Sequence, residues 1–202
     1  MVPQVGYLLG PKLIELGFQA REELPLVTLA IPYLDELSAL TGDTIHLAIR
    51  EFDDVLYLHK NPGRNGPEMR SRVGHRMPLA RTGIGKALLL DDSQEEWQRL
   101  YQVSLPVGGK NLHWPQHPEQ SWEQFEQRMR EYVAGGYAFD LEDNEPSIRC
   151  VAAPVRDASR RIVAGISIAS TVPYMPLEKM AELIPLVKQV AARLSAELGA
   201  KA

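Results

Sequence analysis

Hydrophobic and polar positions change their period several times along the chain, and each change marks an element. Gly10-Pro11 ahead of Lys12-Leu13-Ile14-Glu15-Leu16 predicts a short helix ending near Gly17. Leu26, Leu29, Ala30, Tyr33, Leu34, Leu37 and Leu40 hold helical spacing as far as Gly42, with Pro32 inside the run as a bending point. The pattern then alternates. Ile45, Leu47 and Ile49 interleave with Thr44, His46 and Ala48, and Val55 to His59 follows Asp53-Asp54, which predicts an antiparallel hairpin with an acidic turn. Asn61 to Pro67 is a loop, and Met69, Ser71 and Val73 alternating with Arg70 and Arg72 predict a short third strand.

The second half repeats this grammar. Ser93 with Glu96 forms a capping-box pattern for a helix through Trp97, Leu100 and Tyr101, and a loop is expected from Val103 to Gln120. Ser121 opens a helix carrying Trp122, Phe125, Met129 and Val133, stopped by Gly135-Gly136. Strands are predicted over Ile148–Val155 and Arg161–Ala169, with Asp157 to Arg160 turning between them. The last helix starts at Pro176 and carries Leu177, Met180, Ala181, Ile184, Val187, Ala191, Leu194 and Leu198 on one stripe, with a kink at Pro185. Hairpin strands grouped between helices, rather than alternating βα units, give an α+β domain on a central antiparallel sheet. Helices packed on one face of such a sheet leave the other free to enclose a ligand.

One stretch carries chemistry. Pro78-Leu79-Ala80-Arg81-Thr82-Gly83-Ile84-Gly85-Lys86-Ala87 is a turn feeding a helix, with Thr82 as its cap and two glycines baring the backbone. Free N–H groups at such a start suit a small carboxylate. A nucleotide loop would need glycine where Ala80 stands and a hydroxyl where Ala87 stands, so phosphate–magnesium chemistry is not supported.

Composition narrows the classes further. The 202 residues can bury one core, and a net charge of −4 lacks the basic face of a free-standing nucleic-acid binder. The single cysteine, Cys150, allows no internal disulfide and fits a reducing cytoplasm. No apolar run is long enough to cross a bilayer.

Taken in order, four blocks resemble a known family. They are Tyr7 to Gly17; Thr41-Gly42-Asp43-Thr44-Ile45-His46-Leu47; Val73-Gly74-His75-Arg76-Met77-Pro78 through Ala87; and Gly136-Tyr137 to Asp140 with Glu145 to Val155, completed by Ala164-Gly165-Ile166-Ser167-Ile168. Together they are similar to the effector-binding domain of IclR-type transcription regulators. The resemblance implies a GAF-like α+β domain with a curved central antiparallel sheet, helices packed on one face and a long C-terminal helix. It places the end of an interdomain linker and the first short helix in residues 1–17 and the effector-binding domain in 18–202. A winged helix-turn-helix domain is expected before that linker and is absent from this sequence. The implied protein is a cytoplasmic homo-oligomer, dimer or tetramer, that senses a small organic acid (2-oxo, hydroxy or sugar acid), meets operator DNA only through the missing domain, and needs no membrane, metal or cofactor.

The resemblance also implies a site. Gly83 and Ile84 would donate main-chain N–H groups to the ligand carboxylate, Asp140 would accept from a hydroxyl, Cys150 would line the pocket and Ser167 would donate from the last strand. Met69, Met77 and Ile148 fall at its apolar wall. Two departures alter it: Pro146-Ser147 stands where the family often has glycine before the cysteine, and Ala169 replaces a second serine, with Ser170 beside it. Gly83→Trp is expected to block the site and leave the fold intact. Three other readings stand beside this one. A GAF-like enzyme could use Cys150 with one of the five histidines, His113 and His117 could hold a metal, and the long helices could serve a ligand-free dimerisation module.

Overall fold

The structure is a computed structural model that describes residues 10–22, 25–105 and 121–200. The elements run α1 (Pro11–Glu22), α2 (Pro25–Thr41), β1 (Thr44–Glu51), β2 (Asp54–Asn61), β3 (Arg76–Pro78), α3 (Gly83–Leu88), α4 (Gln94–Ser104), α5 (Trp122–Gly135), β4 (Ala138–Leu141), β5 (Ile148–Arg156), β6 (Ile162–Thr171) and α6 (Leu177–Glu197). Six strands form one curled sheet in the order β3-β2-β1-β6-β5-β4, every neighbouring pair antiparallel. This is the α+β, GAF-like architecture that the sequence implies.

Alternation along the strands sorts the two faces. Ile45 and Leu47 of β1, Val151, Ala153 and Val155 of β5, and Ala164, Ile166 and Ile168 of β6 form one core with α2 and α6. The opposite parity, Ala48, Val55, Tyr57, Ala138 and Ala152, packs with α3, α4 and α5. The two long helices thus share a face as expected, and the face expected to be open carries the shorter helices as well. The site lies under them.

Some sequence expectations shift. The first helix continues past Gly17 to Glu22. The third strand is Arg76–Pro78, not residues 69–73, because the carbonyls of Met69 and Ser71 accept from Lys60 Nζ at 2.7 and 2.9 Å instead of joining a ladder. A four-residue strand, β4, follows α5 directly. It was not anticipated, because Ala-Phe-Asp-Leu is too short to show a period. The caps fall where expected: Thr82 caps α3 through Gly85 N, Ser93 caps α4 through Glu96 N, and Ser121 forms a full capping box on α5, which ends at Gly136 with φ 67°. The box expected of Ser93 and Glu96 is only half made, because the Glu96 carboxylate binds Arg50 and Arg99 instead. Residues 1–9 and the loop segment 106–120, with His113 and His117, lie outside the described residues.

Candidate functional site

Strand register builds the site as rows on the α3 face. The outermost row pairs Ile148 with Thr171. Next comes Asp140–Cys150–Ala169–Thr44, running across β4, β5, β6 and β1. One step further in lies Ala138–Ala152–Ser167–His46–Lys60. A bulge at Leu47/Ala48 leaves Leu58 as the extra residue of β2, so that Tyr57 faces Ala48 and Lys60 faces His46. Without it Tyr57 and Lys60 would fall on opposite faces.

Helix α3 is laid onto these rows. A Cβ on Gly83 would stand 2.5 Å from Cys150 Sγ and 2.8 Å from Asp140 N, and one on Gly165 would stand 2.9 Å from Ile84 Cγ1. Glycine at both positions is what lets helix and sheet touch. The Gly83→Trp expectation is therefore corrected: no side chain fits there, so a block at Gly83 also disturbs the fold. The N–H groups of Gly83 and Ile84 make no main-chain hydrogen bond among the described residues, since Thr82 Oγ1 and O take those of Gly85 and Lys86. With six residues, α3 offers local donors more than a long dipole.

The sequence-derived residues fall into two groups. Gly83, Ile84, Asp140, Cys150, Ser167 and Ala169 are all buried and share one neighbourhood under α3. Met69, Met77 and Ile148 instead line an open cavity of about 880 Å³ together with Arg70, Asn144 and Glu145. The buried group is not part of that cavity's wall and lies one and two register rows further in on the same face. Ser170 does not stand in for the missing hydroxyl, because it shares the parity of Ile166 and Ile168 and faces α2 and α6. Ser147 adopts φ 60°, so the backbone keeps a glycine-like turn despite its side chain.

Burial dominates the electrostatics. It drives the Cys150 thiol up to about 12, with Asp140 adding to it, while the N–H groups of Asp140 and Gly83 pull the other way. It drives His46 down to about 3, with Lys60 adding to that, so the ring is neutral. His46 turns one nitrogen to Ser71 Oγ at 2.7 Å and the other to Ser167 Oγ at 3.4 Å. Neither is offered to Cys150, so the thiol lacks the base an activated nucleophile needs. Tyr57 packs at a tilt of 46° against His46 with ring centres 4.9 Å apart, and burial raises its hydroxyl pKa.

Under the Asp140 end lies a buried ion cluster. Lys86, 1% exposed, donates to Phe139 O at 2.9 Å and to Asp143 at 2.5 Å, and Arg128 reaches the same carboxylate at 3.2 Å. Burial works to raise Asp143, but Lys86 and Arg128 outweigh it and hold this carboxyl below its usual value. Asp140, three residues before Asp143 and accepting from its N–H, is pushed up to about 7 by burial, against the pull of Lys86.

That upward shift has a defined sign. A carboxyl with a raised folded-state pKa holds its proton longer than in the unfolded chain. Its contribution is fully present below about pH 4 and is lost as pH rises through about 7. Asp140→Asn should therefore gain stability on wild type between pH 4 and 8, by at most about 4 kcal/mol. Urea denaturation of both proteins at several pH values measures this difference, and parallel curves would remove the buried neutral acid.

Sequence reasoning missed His46, Tyr57, Lys60 and Ser71 as site residues. The alternation that put Thr44, His46 and Ala48 on one side of β1 was a usable signal for the first. The bulge that aligns Tyr57 and Lys60 leaves no mark in the pattern.

The domain is thus a curled sheet with a short glycine-bounded helix over a buried polar row and an adjoining cavity. Residues 18–196 match the family described as bacterial transcriptional regulator IclR, C-terminal. The chain belongs to that family. It is 32% identical over 193 residues to the HTH-type transcriptional regulator KdgR of Escherichia coli K12, covering 96% of this chain and 72% of that protein. Among solved structures it is similar to Thermotoga maritima IclR, with a TM-score of 0.79 and 28% identity over 96% of this chain and 76% of that one. It is also similar to the C-terminal domain of Escherichia coli KdgR, with a TM-score of 0.68 and 29% identity over 86% of this chain and 98% of that one. The relatives are transcriptional regulators by name, several of them repressors, and the role is regulatory rather than enzymatic. Among the described residues no helix is long and apolar enough to cross a membrane.

Proposed function

We propose that this chain is the effector-binding and self-associating part of a cytoplasmic DNA-binding regulator, and that it binds a small carboxylate metabolite, a 2-oxo, hydroxy or sugar acid. The observation that carries this reading is the convergence of Asp140, Cys150, Ser167 and the Gly83 and Ile84 amides, which no main-chain carbonyl takes, on one sheet face beside the cavity lined by Met69, Met77 and Ile148. Residues 1–17 are read as the end of an interdomain linker and the start of α1, and 18–202 as the sensor. Leu13, Ile14 and Leu16 of α1 expose apolar surface suited to a second copy. Operator DNA would be met through a winged helix-turn-helix domain on the N-terminal side. An effector that binds two subunit arrangements with different affinity shifts their populations, and the DNA-binding domains follow.

A thermal-shift screen of small organic acids tests this. A ligand at a hundred times its Kd stabilises the folded state by about 2.7 kcal/mol, which corresponds to a rise of roughly 5–10 °C in a chain of this size. Met77→Trp fills the cavity from a half-buried edge position, and should abolish the rise while moving the ligand-free Tm by less than about 3 °C. A rise that survives Met77→Trp would place the ligand elsewhere.

A further inference from the structure

We propose that Phe52, at the tip of the β1–β2 hairpin, is an anchor for a second copy of this chain, and that it docks into the groove between β5 and the C-terminal half of α6 on that copy. Nothing in the fold accounts for a phenylalanine there. Its side chain is 81% exposed, so it adds almost nothing to the core. Glu51 pairs with Asp54, which leaves Phe52 and Asp53 as a two-residue turn. Phe52 takes φ 59° in it, a conformation that such turns give to glycine and a bulky side chain strains. The turn is nevertheless held firmly. Phe52 O accepts from Arg50 Nε at 3.0 Å, Asp53 O accepts from Leu79 N at 3.3 Å, and the Asp53 carboxylate takes Arg99 at 2.6 and 2.9 Å. An exposed aromatic on a pinned, strained turn is a preorganised contact, already ordered before its partner arrives.

The surroundings of Phe52 select the partner. Glu51, Asp53, Asp54, Asp92 and Glu96 stand around the tip against Arg50, Arg76 and Arg99, which leaves it acidic and repels nucleic acid and anionic lipid. The receptor that fits is an apolar groove with a basic rim, and this chain carries one. About 560 Å³ lies over Ala153, Pro154, Ala191, Ala192 and Ala196, flanked by Arg160 and Lys188. Neither cation meets a carboxylate among the described residues, and Lys188 donates to Gly135 O. The groove takes a side chain and not a strand. Pairing with β4 stops at Ala152 of β5; beyond it Pro154 has no N–H, and that of Arg156 is taken by Ser195 Oγ at 2.9 Å. Hairpin tip and groove share one end of the sheet, since Ala48, Gly165 and Pro154 fall in one row. They stand roughly 10–15 Å apart, about two to three strand spacings. A two-fold axis between them lets each copy hold the other's Phe52, which closes the contact as a dimer. The two rings together bury about 300–500 Å², the core of an interface that the charged rims enlarge. The contact rests on the self-association proposed above and is independent of any effector.

Sedimentation equilibrium of this chain over about 1–100 μM reads the dimer. Phe52→Gly should weaken it at least tenfold, while the Tm of the dilute protein stays the same or rises, because glycine suits the turn. Ala192→Trp, at an exposed position of the groove, should weaken it as much from the other side. An oxidised mixture of Phe52→Cys and Ala192→Cys chains should yield a disulfide-linked pair that neither variant forms alone, the native Cys150 being buried. A dimer indifferent to both Phe52→Gly and Ala192→Trp overturns the proposal and leaves association to α1. A dimer lost with Phe52→Gly but kept with Ala192→Trp, with no mixed disulfide, overturns the groove as receptor. A wild type that stays monomeric up to about 100 μM overturns this contact together with the self-association on which it rests.

Discussion

Lys86→Met is expected to destabilise the domain by about 3–5 kcal/mol, a large share of the 5–15 kcal/mol typical of a folded domain. Methionine can replace the alkyl stem of a side chain 1% exposed, so the loss is electrostatic and not a cavity effect. It leaves Asp143 with Arg128 at 3.2 Å and the N–H of Leu141 at 3.4 Å, and strips the donor from Phe139 O. Burial then acts on a carboxylate without its main partner, and Asp143 should take up a proton. The double variant Lys86→Met, Asp143→Asn should recover much of the loss, because removing both charges spares the orphan. Urea denaturation of the four proteins gives the coupling directly. A single-variant loss below about 1 kcal/mol would place the pair in effective contact with solvent, where ion pairs contribute little.

The consequence reaches the candidate site. Lys86 belongs to α3, whereas Phe139 and Asp143 belong to β4 and the turn after it. The pair therefore bolts the segment carrying Gly83 and Ile84 to the one carrying Asp140. Either segment could shift against the other without it, since α3 is only six residues long. Lys86 follows Gly85 as the lysine of a nucleotide loop would. Its ammonium points into the fold, and the lysine is an anchor rather than an anion ligand.

Local rules explain why much of the fold was readable. Thr82, Ser93, Ser121 and Gly136 each act within a few residues, so cap and stop could be placed from the sequence. The β1–β2 hairpin was legible for the same reason, since its acidic turn and alternation lie side by side. The failures are non-local. Residues 69–73 alternate like a strand, but Lys60 takes their carbonyls. β4 gains its pairing from β5, which follows it, and four residues cannot show a period alone. In the site, family resemblance supplied Asp140, Cys150 and Ser167, and the register places them in adjacent rows. Nothing short of the register could show that His46 adjoins Ser167.

Gly85→Ala should cost about 3 kcal/mol or more, even though alanine is favoured over glycine in a helix by nearly 1 kcal/mol. Its Cβ would collide with Leu79 O, and would stand 2.7 Å from both Leu79 Cα and Thr82 Oγ1. Two of these are backbone atoms of the entering turn, and the third is the helix cap, so relief means moving the turn. Gly83→Ala meets Cys150 Sγ at 2.5 Å and Asp140 N at 2.8 Å, and should cost about 2–3 kcal/mol. Pairing it with Cys150→Ala should return part of that loss, since the amide of Asp140 remains in the way. Gly17→Ala is the internal control, because nothing lies within 4 Å of its Cβ in α1, and it should be neutral or stabilise by up to about 1 kcal/mol. Thermal or urea denaturation ranks the variants. The order Gly85, Gly83, Gly17 in decreasing cost means that close seating of α3 on the sheet requires these glycines. Equal, small effects at Gly83 and Gly17 would mean that the helix start stands off from Cys150 and Asp140, and the convergence of donors under it would be lost.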